Sequence, residues 1–190
     1  MLQNTRLLCS QPTSPKQPRT TGPNAMMLTF EQIETRCLND DATPWIPMYR
    51  DRPGIDIKYF RIDPVRGEVL CSLRMQAGMQ LPAHHHTGTV IVYTLQGSWK
   101  YQEHDWIAHA GSVVFETASS RHTPETLPDS GVVHTFNVVS GELLFLDADG
   151  KLVATENWRS ALHRYLKHCE RNQLKPQDLS GFAQTSAAPS

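Results

Sequence analysis

Between Ile55 and about Thr155 the sequence consists of short runs rich in Val, Ile, Tyr, Phe, Trp and Thr, each interrupted by a glycine. The interrupting residues are Gly67, Gly78, Gly97, Gly111, Gly131, Gly141 and Gly150. Breaks roughly 8 to 20 residues apart, with no long helical period between them, are typical of an antiparallel sandwich or barrel. The central part of the chain therefore predicts an all-β fold.

The segment before the β-rich region divides into a tail and a helix. Residues 1–26 are rich in Pro, Gln, Ser and Thr. Such a composition buries too little apolar surface to offset the entropy of ordering, so we expect a disordered tail there. Thr29 and Gln32 have the spacing of a capping box, which predicts a short helix that starts near Phe30 and ends by Asn39.

A second helical pattern follows the β-rich region, in the stretch NWRSALHRYLKHCERN. Its apolar residues recur on one helical face, and they are Trp158, Ala161, Leu162, Tyr165, Leu166 and Cys169. This pattern predicts C-terminal helical structure docked on the outside of the β-fold. We therefore predict a single domain over residues 27–175, flanking helices included, and a C-terminal tail over residues 176–190.

The balance of charge argues against a nucleic acid or a membrane as partner. Lysine and arginine total 18 against 19 acidic residues, the formal net charge is -1, and no block of like charge occurs. No apolar run approaches the roughly 20 residues that span a bilayer. The four cysteines show no CxxC spacing, which argues against a zinc ribbon or a disulfide framework. We expect a cytoplasmic protein whose partner is a small molecule.

Three consecutive histidines, His84 to His86, begin an apolar stretch that ends at Gly97. Side chains alternate along a strand, so His84 and His86 point to one face and His85 points to the other. Two imidazoles turned into an apolar interior need partners, and one divalent metal ion satisfies both. Imidazoles satisfied by backbone groups remain the alternative, because two histidines are too few to define a metal site.

The residues after the histidines alternate in the same way. Val90 and Val92 share the face of the candidate ligands, whereas Ile91, Tyr93 and Leu95 share the opposite face. Both faces are apolar, and a strand of this kind is typically buried on both sides. We therefore predict that this strand is covered on both faces.

The spacing around these histidines resembles the first sequence motif of the cupin superfamily. Five residues separate Gly78 from His84, one residue separates His84 from His86, and Gly97 closes the motif. Val90 stands where the family has a glutamate.

A later stretch resembles the second cupin motif. Gly111 is followed after ten residues by His122, and Thr117, Ser119 and Thr126 replace the usual Pro, Gly and Asn. The resemblance covers about residues 45–150 and implies an RmlC-like jelly-roll barrel.

Two short stretches, LQGSW and EHDW, narrow the resemblance to small single-domain cupins typified by 2,4'-dihydroxyacetophenone dioxygenase and, more distantly, by acetylacetone dioxygenase. Three histidines carry the metal in these enzymes, so the resemblance implies His84, His86 and His122 as ligands. It also implies Fe(II) as the cofactor, while zinc, nickel, manganese or copper suit the same ligands. Small cupins of this kind commonly pair through sheet edges, which implies a homodimer or homotetramer.

Three neutral imidazoles leave a divalent iron with its full charge and with open coordination positions. A hydroxyketone or β-diketone can bind such an ion as an enolate through two oxygens and become electron-rich enough to meet dioxygen. The implied function is a non-haem dioxygenase that cleaves a carbon–carbon bond of a small hydroxyaryl ketone or β-diketone. It would release two carboxylic acid fragments without an external reductant. Trp99, Trp106 and Tyr93 are candidates for lining an aromatic-substrate pocket, with core packing as the alternative.

Two glutamates are candidate catalytic residues. Strand parity in SWKYQEHDW puts Glu103 on the face of Trp99 and Tyr101, which we predict to be the interior. Glu103 can then accept a bond from a ligand imidazole, act as a fourth ligand or serve as a base, and a solvated carboxylate at a strand end is the alternative. Glu116 lies six residues before His122, where the resembled acetylacetone-cleaving cupins carry a glutamate near the metal.

Two other classes of function remain open. A metal-bound sensor or regulatory cupin would resemble the cupin half of zinc-dependent anti-sigma factors, which is usually fused to a helical domain that binds a partner. The segments on either side of the predicted barrel are short for such a helical domain, so this function is less favoured than the dioxygenase. A metal-free cupin of the sugar-nucleotide isomerase type does not need three histidines at motif spacing, so it ranks last.

Overall fold

The structure is a computed structural model that describes residues 37–147 and 149–180. Within these residues the chain forms thirteen β-strands, a short 3-10 turn over Asp40–Ala42 and one α-helix, α1 (Trp158–Arg171). The predicted all-β class is confirmed. The predicted disordered tail and the predicted helix near Phe30 lie outside the described residues. No helix in the described part of the chain is both long and apolar enough to cross a bilayer.

The strands pair in antiparallel fashion into three sheets. In chain order they are β1 (Ile46–Pro47), β2 (Ile55–Asp63), β3 (Glu68–Met75), β4 (His84–His86), β5 (Val90–Gln96), β6 (Ser98–Tyr101), β7 (Ala108–His109), β8 (Val113–Glu116), β9 (Arg121–His122), β10 (Pro124–Thr126), β11 (Val133–Ser140), β12 (Leu143–Leu146) and β13 (Leu152–Glu156). The six-stranded sheet has the order β1-β2-β3-β11-β5-β8. A four-stranded sheet has the order β13-β12-β4-β9, and a three-stranded sheet has the order β10-β6-β7.

Apolar side chains that alternate along these strands build the interior. Buried residues of β2 and β3 pack with α1 into one cluster, and those of β5, β6 and β7 pack into a second. The inner faces of the three sheets line a cavity of about 150 Å³. Most of its lining side chains are apolar, so the fold provides a space poor in water between the sheets.

The strand β5 is buried on one face only. Val90 and Val92 point inward and are buried, but Ile91, Tyr93 and Leu95 are 42%, 42% and 46% exposed. The prediction that this strand is covered on both faces is therefore wrong for the single chain. The strand β5 lies next to β8, the edge strand of the sheet. On the outer face of these two strands the apolar side chains are open to solvent in the single chain.

The helix α1 begins at a capping box and docks on the sheet. The side chain of Asn157 accepts hydrogen bonds from the backbone N–H groups of Arg159 and Ser160, and the Ser160 hydroxyl accepts one from the Asn157 N–H. These bonds satisfy N–H groups that the first turn leaves open. The buried residues of the helix are Ala161, Tyr165 and Cys169. They pack against β2 and β3 as the sequence predicts, whereas Leu166 is 44% exposed.

Packed structure continues past residue 175, where the predicted domain ends. Leu179 is buried, and its carbonyl accepts a hydrogen bond of 2.8 Å from the Ile62 N–H. The Gln177 N–H donates to the Tyr165 hydroxyl over 2.7 Å. The first part of the predicted tail over residues 176–190 therefore packs on β2 and α1. The sequence predicts more than one C-terminal helix. Among the described residues after the strands, the structure has one, α1.

The turn between β5 and β6 requires a glycine. Gly97 has a φ of +79°, and a Cβ atom there would lie 2.9 Å from the carbonyl oxygen of Val132 and from the Cα of Val133. A side chain would therefore be strained by both the backbone conformation and the close approach. This glycine, which closes the first motif in the sequence, sets the turn that brings β6 and its buried Tyr101 beside the cavity.

Candidate metal centre

Two short paired strands bring the three candidate ligands together. The strand β4 pairs with β9, so His84 lies directly opposite His122. Alternation along β4 buries His84 and His86 and leaves His85 half-buried on the other face. The three buried histidines have ligand atoms that all lie within 4.8 Å of one another. The predicted set of three imidazoles therefore faces one point between the sheets.

The distances between these atoms suit one ion. The Nε2 atoms of His86 and His122 are 2.9 Å apart. The Oε2 atom of Glu116 lies 2.9 Å from His86 Nε2 and 3.3 Å from His122 Nε2. Two ligand atoms that each lie about 2.1 Å from an ion, at a right angle, are roughly 3.0 Å apart. The three atoms thus have the mutual spacing of neighbouring corners of one coordination sphere.

His84 has the protonation state that a ligand needs. Its Nδ1 atom lies 3.0 Å from the carbonyl oxygen of Pro82. A carbonyl can only accept, so Nδ1 carries the proton and the lone pair stays on Nε2. Burial lowers the pKa of His84 to about 4, so the ring is neutral at neutral pH.

Glu116 supplies a buried carboxylate to the same cluster. It lies on β8 directly opposite Val90 of β5, and Val90 stands where the first cupin motif has its glutamate. The carboxylate therefore reaches the histidines from the neighbouring strand. Burial by itself raises the pKa of Glu116, but the rings of His122 and His86 and the hydroxyl of Tyr101 outweigh it and hold the pKa below its usual range.

This donor set fits a cation. When the rings are neutral with free Nε2 atoms, the Oε2 atom of Glu116 has no hydrogen-bond donor among the described residues. A buried carboxylate oxygen and imidazole lone pairs then converge without a proton between them. A divalent ion held by His84, His86 and His122 would satisfy all of them, and nitrogen and oxygen ligands together suit a transition metal.

Tyr101 holds two members of the cluster in place. Its hydroxyl donates to the Oε1 atom of Glu116, and its ring stacks on His122 with a centroid distance of 3.9 Å and an interplanar angle of 7°. Burial raises the pKa of Tyr101 well above its usual value, so the hydroxyl stays protonated and donates. Sequence parity predicts an interior Tyr101 but no role for it, because the contact partners lie on β8 and β9.

Glu103, the other candidate, lies outside the cavity. The strand β6 ends at Tyr101, so the alternation that would turn Glu103 inward does not continue. Its exposed carboxylate accepts hydrogen bonds of 2.9 Å from both the N–H and the hydroxyl of Thr123, the residue after His122. Partial burial raises the pKa of Glu103, but these hydrogen bonds bring it below its usual value. Glu103 therefore anchors the backbone beside the third ligand.

The cavity next to the cluster has walls suited to a small organic molecule. Apolar side chains from the three sheets dominate the lining, and Thr135 and Asn137 form a buried polar pair within it. Of the three aromatic candidates, Trp99 lines the cavity. Tyr93 lies on the outer face of β5 and Trp106 is 38% exposed. The arrangement can hold a metal ion at one wall and exclude water from a ligand beside it.

Comparisons with known proteins identify the family. The family model described as the ChrR cupin-like domain matches residues 34–141. An RmlC-like cupin protein from Ralstonia eutropha JMP134 is 54% identical, over 81% of this chain and 99% of that chain, with a TM-score of 0.78. A protein of unknown function with a cupin-like fold from the same organism is 27% identical, over 72% of this chain and 85% of that chain, with a TM-score of 0.65.

A more distant structure shares the fold. An acetylacetone dioxygenase from Acinetobacter johnsonii is 18% identical, over 82% of this chain and 98% of that chain, with a TM-score of 0.62. A search among curated proteins gave no significant match. The predicted jelly-roll cupin fold is confirmed, since the family match spans more than half of the chain and agrees with the solved cupin at 54% identity. The chain belongs to the family of ChrR cupin-like domains within the cupin superfamily.

Proposed function

We propose that the protein is a non-haem metal-dependent dioxygenase that cleaves a carbon–carbon bond of a small hydroxyaryl ketone or β-diketone with dioxygen. The observation that carries this proposal is a buried cluster of three imidazoles opening on a mostly apolar cavity. The likeness in fold to an acetylacetone dioxygenase supports it. The sequence resemblance to 2,4'-dihydroxyacetophenone dioxygenase supports the same reaction class.

Fe(II) is the proposed cofactor, and zinc, nickel, manganese or copper are the alternatives. His84, His86 and His122 would hold it. Bound there, a ferrous ion would supply the positive charge that attracts a chelating enolate and the redox chemistry that dioxygen requires. Both atoms of dioxygen end in the products, so no external reductant is needed.

The chain's own residues would bind the substrate and move its proton. Glu116 is the proposed base, because its Oε2 atom faces the cluster and its Oε1 atom is held by the Tyr101 hydroxyl. A carboxylate fixed in this way can accept the proton that a ketone loses on forming its enolate. Glu103 is proposed as a positioning residue that acts through Thr123 on His122.

Oxygen uptake tests the reaction. We expect the full chain, reconstituted with ferrous iron without air, to consume dioxygen when acetylacetone or 2,4'-dihydroxyacetophenone is added. A chelating ketone is needed to cancel the charge of the ion, so acetone, which cannot chelate, should give no uptake. The zinc-loaded protein should be inactive with every ketone. Absence of uptake across a panel of hydroxyaryl ketones and β-diketones would overturn the proposed reaction.

A metal-bound sensor or regulatory cupin is the second candidate function. The observation in its favour is the match to the ChrR cupin-like family model. Such a protein would use the same three histidines to bind a metal, with zinc preferred and no oxygen chemistry. Tight zinc binding together with no oxygen uptake would favour this function over the dioxygenase.

We also propose that the protein is cytoplasmic and that it forms a homodimer or homotetramer. An outer apolar face, formed by Ile91, Tyr93, Leu95, Val113 and Phe115 on β5 and the edge strand β8, supports this, since Phe115 alone is 74% exposed. Exposed apolar patches of this kind favour association. Sedimentation velocity of the full chain should give the mass of a dimer or tetramer. A single monomeric species at micromolar concentration would contradict the proposal.

A further inference from the structure

A row of aromatic rings connects the candidate metal centre with the protein surface. The Tyr101 ring stacks on His122 at a centroid distance of 3.9 Å and lies 5.3 Å from Trp106. Trp99 lies 5.1 Å from Tyr101 and 5.9 Å from Trp106. Trp106 is 38% exposed and stacks with the exposed His104 at 5.3 Å. We call Tyr101, Trp99 and Trp106 the aromatic row.

The local sequence explains how these rings come together. Strand alternation on β6 turns Trp99 and Tyr101 to the same buried face. The chain then turns after Tyr101, and the segment before β7 brings Trp106 against both rings. One end of the row therefore touches a metal ligand and the other end meets solvent.

We propose that the aromatic row conducts oxidising equivalents from the metal centre to the surface, so that a stray oxidation ends on Trp106 and spares the ligand histidines. Tyrosine and tryptophan are among the side chains most easily oxidised by one electron. Electron transfer slows steeply with distance, so rings in contact make each step fast. The inference rests on the proposed metal centre and on a redox-active ion in it, and it does not depend on which ketone is the substrate.

The electrons and protons balance with hydrogen peroxide as the oxidant. Peroxide would take one electron from a ferrous ion held by the three histidines, leaving that ion ferric, and one electron from Tyr101. Its O–O bond breaks to give one hydroxide and one water, and that water receives the phenolic proton by way of Glu116. The Tyr101 radical then takes an electron from Trp106 and regains a proton, while the indole of Trp106 loses its N–H proton to solvent. Ascorbate or a thiol at the surface returns a hydrogen atom to Trp106.

The other two tryptophans serve as internal controls. Trp45 lies on the other side of the six-stranded sheet from the cavity, against Lys58, Arg74 and His134. Trp158 is on α1 beside Arg159. Neither has a ring contact with the aromatic row in the described residues. If the row had a purely structural role, the extent of Trp106 oxidation would be the same with a redox-active metal as with zinc.

The test treats the full chain, loaded with either ferrous iron or zinc, with increasing amounts of hydrogen peroxide and maps oxidised residues by peptide mass spectrometry. In the iron-loaded protein we expect Trp106 to be oxidised several-fold more than Trp45 or Trp158. In the zinc-loaded protein this excess should be absent. Ascorbate should suppress the oxidation of Trp106.

Tyr101→Phe separates conduction from simple exposure. Phenylalanine keeps a ring in the row but resists oxidation, and the exposure of Trp106 does not change. Oxidation of Trp106 should fall to the level seen with zinc, and damage should move to the ligand histidines. Trp158→Phe is the matched control and should oxidise like the unaltered chain. If Tyr101→Phe does not hold iron, Trp106→Leu tests the surface end of the row. In that variant we expect the oxidation of Tyr101 and His122 to rise several-fold.

Two results would overturn the inference. Equal oxidation of Trp106 with and without the Tyr101 hydroxyl would show that diffusing radicals attack an exposed indole. A reconstituted chain that retains no iron would also contradict the inference, because the row would then have no redox-active ion to connect with the surface. Peroxide reacts with ferrous iron whether or not a ketone is present. The peroxide experiment can therefore be interpreted even if the oxygen-uptake assay fails. The two proposals can therefore fail separately.

Discussion

His122→Ala is expected to reduce the metal content of the purified protein from about one ion per chain to less than about a tenth, with loss of oxygen uptake. His122 comes from β9, while the other two ligands share β4, so its removal opens one side of the cluster. We expect the two remaining imidazoles and the Glu116 carboxylate to bind the ion more weakly than the full set of donors, so that most of it is lost during purification. Metal analysis of the purified chain measures the effect directly.

His85→Ala is the matched control for this variant. His85 is the same residue type on the same strand, but it is half-buried and points away from the cluster. We expect this variant to keep its metal and its oxygen uptake. Full metal retention by His122→Ala, or equal losses from the two variants with unchanged circular dichroism, would contradict the ligand assignment.

Glu116→Gln is expected to weaken metal binding roughly 10- to 100-fold, the usual effect of losing a group that orients or polarises a ligand. The amide has the size of the carboxylate, so the packing between β8 and β5 is preserved. It lacks the negative charge that faces His86 and His122. Competition against a chromophoric chelator measures the affinity, and oxygen uptake with the preferred ketone should fall with it.

Glu103→Gln gives the graded comparison. Its carboxylate contacts Thr123 and lies outside the cavity, and an amide oxygen can still accept one of the two hydrogen bonds. The loss of metal affinity should therefore be smaller than for Glu116→Gln. An unchanged affinity in Glu116→Gln, or a larger loss in Glu103→Gln, would contradict the placement of Glu116 against the ion.

Local alternation was enough to predict which of the consecutive histidines meet. A strand has a period of two, so His84 and His86 share a face wherever the strand lies in the fold. The resemblance to the cupin motifs added His122, and the structure brings it opposite His84. The same local rule correctly turned Trp99 and Tyr101 to the interior.

The two glutamates show where the local rule stops. Parity carried from Tyr101 to Glu103 fails because β6 ends at Tyr101, and the end of a strand depends on its partners. Glu116 reaches the cluster because β8 pairs with β5 in a register that sets it opposite Val90. Its place was suggested only by resemblance, since neither strand alone indicates that Val90 and Glu116, which are 26 positions apart in the chain, become partners.

By itself the sequence determined the all-β class, the inward turn of two histidines and the docking face of α1, because each follows from a repeat along a few neighbouring residues. Only the tertiary structure decided that the carboxylate beside the histidines is Glu116, that Tyr101 holds both that carboxylate and His122, and that the outer side of β5 is open. These depend on which strands become neighbours, in which register, and which strand ends at the edge of its sheet. Such contacts join residues far apart in the chain, so no local pattern encodes them.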